Sequence, residues 1–421
     1  MRIAVVGAGI AGLVAARRLC GEHEVTVFEA GGHAGGHTHT HDIEHEGRRH
    51  AVDTGFIVFN ERTYPRFCAL LGELGVASQP SRMSFSVRDE ACGLEYNGTS
   101  LNALFAQRAN LLRPSFLGMV RDILRFNREA PRLLAGPGGE LPLGTLLERG
   151  RYGRAFVAHY LVPMGAAIWS TDPRSMLDFP ARFFVRFLHN HGMLSVNDRP
   201  VWRVVRGGSA RYVEKLVAPY CDRLRLATPV LSLRRLADGV VVATRHGAER
   251  FDAAVVACHS DEALRLLADP SPAERAVLGA IPYQRNDAVL HTDTRLLPRR
   301  RLAWAAWNYH VLPREGGGVA LTYHMNILQG LASREPFLVT LNRPEAVDPS
   351  KVLRRMTYHH PLFTPAGVAA QARQAELNRG RRTYYCGAYW RNGFHEDGVV
   401  SALDAVEHLR ADLPALLRSA A

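Results

Sequence analysis

Three glycines near the start of the chain have the spacing of a phosphate-binding turn. Gly7, Gly9 and Gly12 form the pattern G-x-G-x-x-G between an apolar, strand-like run and a helix-compatible stretch. In such a turn the first glycine permits the tight bend, the second lets the backbone approach a pyrophosphate, and the third allows close packing of helix on strand. The N-terminus of the following helix offers N–H donors and positive potential to the phosphates.

An acidic residue completes this pattern at the expected distance. The second strand-like run, residues 24–28, ends at Glu29, which follows Gly12 by about the 20 residues typical of the fingerprint. A carboxylate in this place accepts hydrogen bonds from the hydroxyls of an adenosine ribose. Strand, glycine turn, helix, second strand and acid together predict a Rossmann-type dinucleotide-binding unit in an α/β fold.

A second glycine cluster indicates which dinucleotide is bound. Gly31, Gly32, Gly35 and Gly36 follow the acidic residue, where an extended FAD needs close backbone approach and a nicotinamide cofactor does not. No His or Cys stands in a context that demands a covalent link, so we predict FAD held non-covalently. The residues predicted to bind it are Gly7, Gly9, Ile10, Ala11, Gly12, Glu29, Ala30, Gly35, Gly36, His37, Thr38, Thr54, Gly55, Phe56, Val230, Gly387, Asp397, Gly398 and Val399.

A strand, a glycine loop and a helix recur near the C-terminus. Residues 382–387 are typical of a strand, 393–398 of a loop, and Val399 to about Leu409 of a helix. The N-terminus of that helix would point at the N1–C2=O edge of the flavin. Its positive potential would stabilise the negative charge of the reduced flavin.

The length of the chain indicates two domains. Its 421 residues exceed what one simple core usually holds. We predict a Rossmann-type FAD-binding domain built from residues 1–80, 200–268 and 372–421, interleaved with an α+β substrate-binding domain built from 81–199 and 269–371. Predicted strands include a pair at 224–233 and 239–244, a buried strand at 251–258, and substrate-domain strands at 287–292, 302–310 and 319–326.

Charge and cysteine usage exclude several classes of protein. The formal net charge is +12, and Lys215 and Lys351 are the only lysines among 52 basic residues. No nucleic-acid motif accompanies this charge, so no nucleic-acid partner is expected. Neither the six cysteines nor the histidines of the glycine-rich loop have metal-ligand spacing, which predicts reduced thiols and no metal. The chain opens directly into a strand and has no apolar stretch of ~20 residues, so we expect a cytoplasmic protein.

One basic segment suggests contact with a membrane. Residues 105–134 carry six arginines, and Phe116, Met119, Ile123 and Phe126 recur among them at helical spacing. A basic amphipathic helix of this kind suits peripheral docking on an anionic membrane surface, such as the inner membrane. The alternative is a helix that covers the substrate domain with its arginines in solvent.

These motifs resemble the flavin-containing amine oxidase superfamily, which includes protoporphyrinogen oxidase and the carotenoid desaturases. The resemblance is carried by GAGIAG with Glu29, by the glycine-rich segment, and by CGAYWRNGFHEDGVVSAL at 386–403. Across nearly the whole chain, including MSFSV (83–87) and HYLVPMGAAIWS (159–170), it is similar to a bacterial FAD-dependent subfamily. That subfamily is encoded beside cyclopropane-fatty-acyl synthase-like methyltransferases and is linked to furan fatty acid synthesis. The resemblance implies a fatty-acyl or phospholipid substrate and a methyltransferase partner.

The chain departs from the superfamily in one respect. Many amine oxidases place a lysine, bridged through water to flavin N5, in the substrate domain. No lysine occurs here between Lys215 and Lys351, and the comparable stretch, 297–304, reads LPRRRLAW. The absence of this lysine argues against an amine oxidase. It favours transfer of electrons to an acceptor other than oxygen, or a redox-neutral isomerisation.

Dehydrogenation of an acyl chain needs access to flavin N5, a proton acceptor and a dry apolar slot. The predicted catalytic residues are His395 and Glu396, followed by Tyr309 and His310. The aromatic residues predicted to wall the substrate pocket are Trp169, Phe184, Trp304, Trp307, Tyr389 and Trp390. For each of these the alternative is an ordinary core side chain.

We therefore predict FAD-dependent desaturation of a methyl-branched or unsaturated fatty-acyl chain, in a membrane phospholipid. Three alternatives stay open at this point. The first is a flavin amine or amino-acid oxidase, and the second is a flavin-dependent double-bond isomerase. The third is a non-enzymatic, FAD-bearing protein that presents lipid to a methyltransferase.

Overall fold

A computed structural model describes residues 1–136, 141–195, 197, 199–313 and 319–418. The strands are β1 (Arg2–Val6), β2 (Glu24–Phe28), β3 (Thr40–His45), β4 (Arg48–Asp53), β5 (Phe59–Asn60), β6 (Ser78–Pro80), β7 (Phe85–Asp89), β8 (Glu95–Asn97), β9 (Trp202–Val205), β10 (Leu224–Arg225), β11 (Val230–Leu236), β12 (Gly239–Thr244), β13 (Gly247–Phe251), β14 (Ala253–Val256), β15 (Tyr283–His291), β16 (Trp307–Val311), β17 (Leu321–His324), β18 (Leu338–Leu341), β19 (Val352–Pro361) and β20 (Thr383–Tyr385). The α-helices are α1 (Ile10–Leu19), α2 (Pro65–Glu73), α3 (Leu101–Leu104), α4 (Pro114–Glu129), α5 (Leu143–Arg149), α6 (Arg154–Phe156), α7 (Val162–Trp169), α8 (Ala181–Asn190), α9 (Ala210–Val217), α10 (Ser260–Leu266), α11 (Pro272–Leu278), α12 (Met325–Gln329), α13 (Pro365–Gln371), α14 (Gln374–Leu377) and α15 (His395–Arg418).

A parallel sheet contains the glycine turn. Its strands run in the order β10-β2-β1-β14-β20, and every neighbouring pair is parallel. Because side chains alternate along a strand, Ile3 and Val5 pack against α1 and α15, whereas Ala4 and Val6 pack toward the antiparallel strands β11 and β12. Burial on both faces explains why β1 reads as a continuous apolar run.

A larger mixed sheet forms the second main part of the structure. Its strands run in the order β19-β15-β18-β17-β16-β7-β8, with only β16 and β7 parallel among neighbours. Leu321, Val339 and Leu341 of this sheet share one core with residues of α4, α7 and α8. All of its strands come from the passages 81–199 and 269–371. The boundaries between the two domains stay a prediction.

Several predicted elements have different bounds in the structure; for example, the strand predicted at 319–326 ends at His324, directly before α12. The strand predicted to begin at Leu224 is divided: Leu224–Arg225 pairs with β2, Ala227 adopts a positive φ of 47°, and β11 starts at Val230. The strand predicted from Leu302 starts at Trp307, after a short 3₁₀ turn. The C-terminal helix begins at His395 and continues to Arg418, so it is longer at both ends than 399–409.

Among the described residues, no helix combines the length and the apolar character needed to cross a bilayer.

Asp53, at the end of β4, connects the part of the structure around the parallel sheet with the part around the mixed sheet. Its buried carboxylate accepts hydrogen bonds from the Ser209 backbone N–H (2.9 Å) and Oγ (2.8 Å), just before α9, and from Gln329 Nε2 (2.9 Å) at the end of α12. Burial raises the pKa of Asp53 to about 6, although these hydrogen bonds oppose the rise. The carboxylate thus holds three distant segments of the chain beside the Thr54–Phe56 turn.

We expect Asp53→Ala to lower the free energy of unfolding by about 2–4 kcal/mol, because the Ser209 backbone N–H would be left buried without an acceptor and Ser209 Oγ and Gln329 Nε2 would lose their shortest hydrogen bonds. Urea denaturation of the purified variant measures this change. The control is Asp42→Ala, which removes an exposed carboxylate from the adjacent strand β3 and should change the free energy by about 0.5 kcal/mol or less. Equal effects of the two substitutions would contradict the linking role of Asp53.

Candidate functional site

A single large cavity of about 1560 Å³ extends from the glycine turn to the helices beside the mixed sheet. Of the residues predicted to bind FAD, its walls include Gly7, Gly9, Ile10, Ala11, Glu29, Ala30, Gly35, Gly36, His37, Gly55, Phe56, Val230 and Gly387. The others are buried without lining it: Gly12, Thr38, Thr54, Asp397, Gly398 and Val399. One end of the cavity therefore coincides with the predicted cofactor site.

The first glycine turn has the geometry that its sequence predicts. Gly7 has a φ of 102°, and a Cβ on Gly12 would lie 1.9 Å from the Gly7 carbonyl oxygen, so neither position accepts a side chain. A Cβ on Gly9, in contrast, would meet no protein atom within 4 Å. A side chain at Gly9 would therefore point into the cavity and not into the packed protein, as expected for a residue that faces a pyrophosphate.

The second glycine cluster lies directly on the first. Gly35 donates its backbone N–H to the Ala8 carbonyl (2.7 Å), and a Cβ on Gly36 would lie 3.1 Å from Gly9 Cα. On its other side, a Cβ on Gly55 would lie 2.2 Å from the His37 carbonyl oxygen. Three backbone segments therefore meet without side chains between them at this end of the cavity.

Glu29 orders these glycines as well as facing the cavity. Its carboxylate accepts hydrogen bonds from the backbone N–H groups of Ala8 (2.8 Å) and Gly31 (2.7 Å). A carboxylate has about four lone-pair positions, so capacity is left for two ribose hydroxyls. Glu29 thus also stabilises the two glycine turns, a role that its position in the sequence does not indicate.

The N-termini of α1 and α15 meet at the cavity. A Cβ on Gly398, in the first turn of α15, would lie 2.7 Å from Ile10 Cγ2 at the start of α1. The carboxylate of Asp397 accepts hydrogen bonds from the backbone N–H of Phe394 (2.9 Å) and of Asn392 (3.2 Å), which explains why the helix starts before Val399. Two positive helix ends therefore face the same space.

Two buried polar atoms near this wall fit a bound polar group. His37 Nε2 and the Tyr389 hydroxyl have no hydrogen-bond partner among the described atoms, although both residues line the cavity. Burial lowers the pKa of His37 well below its usual value, and the neighbouring His360 and His259 lower it further. A neutral imidazole can donate or accept, so FAD at this end could satisfy it.

Of the four predicted catalytic residues, His395 alone lines the cavity. Its Nε2 is hydrogen-bonded to Thr38 Oγ1 (2.9 Å) and to the Tyr212 hydroxyl (3.0 Å), and its ring stacks on Phe56 at 3.5 Å. Burial lowers the pKa of His395 to about 3. An imidazole with so low a pKa is a weak base at neutral pH. We therefore infer that His395 positions the cavity wall and does not abstract a proton from the substrate.

The structure places the other three candidates away from the cavity. Glu396 caps α2, because its carboxylate accepts the backbone N–H groups of Arg66 and Phe67 at 2.9 Å each. Tyr309 is buried in the mixed sheet, and His310 beside it is hydrogen-bonded to Thr322 Oγ1 (3.2 Å). Their predicted catalytic roles are therefore not supported: each side chain is used within the protein's own packing.

The predicted aromatic walls divide in the same way. Trp169, Trp304, Trp307 and Tyr389 line the cavity, whereas Phe184 and Trp390 are buried in the cores behind it. The cavity also includes residues that were not predicted, among them Phe85, Met164, Phe363, Phe394 and Tyr358. They come from separate elements, and no local pattern sets them apart from core residues.

We call the part of the cavity beyond the glycines the substrate arm. Its walls include Phe126, Leu161, Ile168, Trp307 and Tyr323. Among the described lining residues, the only carboxylates are Glu29 and Glu262, which belong with the FAD end, and there is no lysine. Arg82 and Arg199 are exposed arginines of the arm, and the cavity lining also includes the exposed Arg265 and Arg355. The arm is therefore apolar and aromatic, without a buried negative charge.

One metal-like cluster lies outside this cavity. Asp89, Cys92 and His159 bring ligand atoms within 4.8 Å of one another, and the His159 Nε2 to Asp89 Oδ2 distance is 2.9 Å. The other Asp89 oxygen accepts the backbone N–H groups of Ala91 and Cys92. Hydrogen bonds within the β7–β8 turn thus explain the carboxylate without an ion.

Comparison with known proteins identifies the class of the protein. The chain belongs to the flavin containing amine oxidoreductase family, whose model matches residues 10–300. The chain is accordingly an amine-oxidase-like, FAD-dependent oxidoreductase, and the predictions of the fold class and of non-covalent FAD are confirmed.

Solved structures with the same fold cover almost the whole chain. Cyclohexylamine oxidase from Brevibacterium oxydans is 15% identical with a TM-score of 0.69, covering 98% of this chain and 99% of that one. Putrescine oxidase bound to putrescine is 14% identical with a TM-score of 0.67, covering 98% and 99%. A CLA-producing fatty acid isomerase from P. acnes is 17% identical with a TM-score of 0.65, covering 96% and 98%. At these identities the likeness concerns the fold.

Gly9→Leu should produce a folded protein without FAD. The backbone of Gly9 is extended (φ −74°, ψ 177°) and its Cβ position is free, so a side chain there would occupy cofactor space without straining the chain. The ratio of flavin to protein absorbance, together with circular dichroism, measures this outcome. The control is Gly21→Leu, whose Cβ also meets nothing within 4 Å but lies outside the cavity. Full FAD content in Gly9→Leu would contradict the assignment.

The free energy of unfolding should decrease as the pH is lowered, and part of this decrease should come from His395. Its pKa is about 3 in the folded protein and about 6.5 in the unfolded chain, so only the unfolded chain takes up this proton between those values. The free energy of unfolding should therefore decrease by about 1.4 kcal/mol per pH unit from this residue as the pH falls from about 6 to about 4.

Denaturant unfolding at several pH values tests this dependence. His395→Gln should reduce the slope by the contribution of one proton, whereas the control His246→Gln, at an exposed position on the β12–β13 turn, should leave the slope unchanged. A slope equal to that of the wild type in His395→Gln would mean that His395 is protonated in the folded protein.

Proposed function

We propose that this flavoprotein dehydrogenates a methyl-branched or unsaturated fatty-acyl chain carried by a phospholipid. The observation that supports this proposal is the substrate arm, which is apolar, aromatic and free of carboxylates among the described residues. An acyl chain has no charge to neutralise and gains free energy when it leaves water for such a surface. FAD, when bound, is the hydride acceptor, and the protein positions the acyl chain beside it and excludes water.

The same observation argues against an amine substrate. An ammonium ion that enters a low-dielectric cavity loses several kcal/mol of hydration, and aromatic faces, at about 0.5–2 kcal/mol for each cation–π contact, offset only part of this loss where no carboxylate is present. The arm instead has Arg82 and Arg199 at exposed positions, which would repel a cation. Although the family and two of the compared structures bear the names of amine oxidases, the charge of this cavity suits an uncharged or anionic ligand.

Aromatic packing gives the arm its shape. Trp307 and Tyr323 meet edge to face with their ring centroids 5.3 Å apart, and Trp169 packs on Phe187 at 4.8 Å. Trp169 Nε1 donates a hydrogen bond to the Asn392 carbonyl (3.2 Å), which fixes the ring beside the loop that precedes α15. These contacts fix the aromatic side chains that form the walls of the arm.

Double-bond isomerisation of a fatty acid is a second candidate. It is supported by the fold shared with the CLA-producing isomerase and by the absence of a lysine from the described lining of the cavity. Both candidates use the same apolar arm, and they differ in whether electrons leave the flavin in a net reaction. A methyltransferase that modifies the same acyl chain is the partner we propose on the basis of the family resemblance.

Anaerobic flavin spectroscopy tests the proposed function. The absorbance of the FAD-loaded protein should bleach on addition of phospholipids bearing methyl-branched unsaturated chains, and an amine panel should cause no bleaching. Ile168→Asp places a carboxylate in the arm and should reduce the rate of bleaching by lipid at least about a hundredfold, because the charge must be desolvated by the acyl chain.

The control is Leu231→Asp, which changes an exposed leucine of β11 and should keep the wild-type rate. Bleaching by an amine alone would replace the proposal with amine oxidation. A shifted double bond in recovered lipid, without bleaching, would select the isomerase.

A further inference from the structure

The outer face of α4 alternates leucine and arginine. Leu117, Arg121, Leu124 and Arg128 recur at spacings of four, three and four residues, so they lie on one face of the helix. All four are exposed, with Leu117 at 45% and Leu124 at 56%. The opposite face, which includes Phe116, is buried in the core beside the mixed sheet.

Two more exposed leucines lie in the 3₁₀ turn shortly before α4. Leu112 is 87% exposed and Leu111 is 50% exposed, so four of the eleven large exposed hydrophobic side chains of the described chain lie between residues 111 and 124. Such clustering is unusual for a surface that only faces water and is typical of an interaction site. We refer to Leu111, Leu112, Leu117, Arg121, Leu124 and Arg128 as the α4 surface.

The arginines of the α4 surface have weak partners within the protein. The side chain of Arg121 is 81% exposed and lies 3.8 Å from Asp122, whose carboxylate is buried and accepts the Gly153 backbone N–H (2.8 Å). Arg128 is 72% exposed and lies 3.5 Å from Glu129. Surface ion pairs of this length contribute little, so both guanidinium groups can serve an external anion.

The inner face of the same helix forms part of the cavity. Phe126 and Asn127 line the substrate arm, as do Ser100 and Ala103, which come shortly before α4 in the chain. Ser100 is exposed, so the arm approaches solvent at this residue. The helix therefore separates the arm from the α4 surface by its own thickness.

We propose that the α4 surface docks the protein on an anionic lipid bilayer. Leucines at the level of the acyl chains and arginines at the level of the phosphates match the layers of such a surface, whereas the arginines would repel a cationic partner and gain no charge attraction from a neutral one. The docking rests on the proposed function only for the statement that the lipid is also the substrate. In that arrangement the bilayer would lie directly outside the wall of the substrate arm.

Vesicle co-sedimentation of the FAD-loaded protein tests the docking independently of turnover. Vesicles of saturated dimyristoyl lipids contain no double bond or methyl branch, so binding to them does not require catalysis. Wild-type protein should bind vesicles containing phosphatidylglycerol at least about tenfold more strongly than pure phosphatidylcholine, and added salt should weaken the binding. Absence of binding, or equal binding to both vesicles, would overturn the proposal.

Paired variants identify the surface. Arg121→Gln with Arg128→Gln should weaken binding about thirtyfold, since each arginine contributes about a fivefold factor near an anionic surface. Leu117→Ser with Leu124→Ser should weaken it on both kinds of vesicle. The controls are Arg275→Gln and Leu231→Ser, at exposed positions elsewhere, which should bind like the wild type.

Detergent-dispersed substrate separates the two proposals. The four α4 substitutions should leave flavin content and the rate of bleaching by dispersed lipid unchanged, because none of these residues lines the cavity. Variants that bind vesicles as the wild type does would overturn the docking surface while leaving the proposed chemistry intact. Loss of bleaching in dispersed lipid would show that the substitutions act on the cavity and would also contradict a pure docking role.

Discussion

Close approach of backbone segments is the constraint on which the rest of the site depends. A side-chain carbon at Gly12, Gly55 or Gly398 would lie 1.9 Å, 2.2 Å or 2.7 Å from another part of the protein. The first two contacts are with backbone carbonyl oxygens, and the third is with the β-branched side chain of Ile10 at the start of α1, so a larger residue would push whole elements apart. The converging N-termini of α1 and α15, and the position of Glu29 between two glycine turns, follow from this contact.

The predictable parts of the molecule are those whose cause is local in sequence. The glycine turn, β1, α1 and the carboxylate of Glu29 follow from spacing within about 30 residues, as the dinucleotide fingerprint requires. The role of Glu396 does not follow from local sequence, because the N–H groups that it caps belong to α2, more than 300 residues away in the chain. Local sequence also does not distinguish Trp169, which lines the cavity, from Phe184, which packs behind it. Helical periodicity predicts that both are buried but not whether a buried side chain faces the cavity or the core.

Burial changes the meaning of the histidines in this chain. In the sequence, His37 and His39 belong to a short loop in which imidazoles recur, but their spacing is not that of metal ligands. In the structure, burial lowers the pKa of His37 well below its usual value and that of His39 to about 3, and His39 stacks against His33 at 4.0 Å. The rings therefore act as neutral, polarisable wall components beside the FAD end of the cavity.

The two faces of α4 connect the chemistry of the cavity with the surface of the protein. Phe126 contributes to an arm without carboxylates, and Leu124 and Arg128, within two residues of it, point the opposite way. A cavity that excludes charge is useful only if its ligand reaches it without crossing much water, because an exposed acyl chain is costly to solvate. A helix that is apolar inward and both apolar and cationic outward meets this requirement, since the surface that would attract the lipid and the wall that would receive its chain are one element.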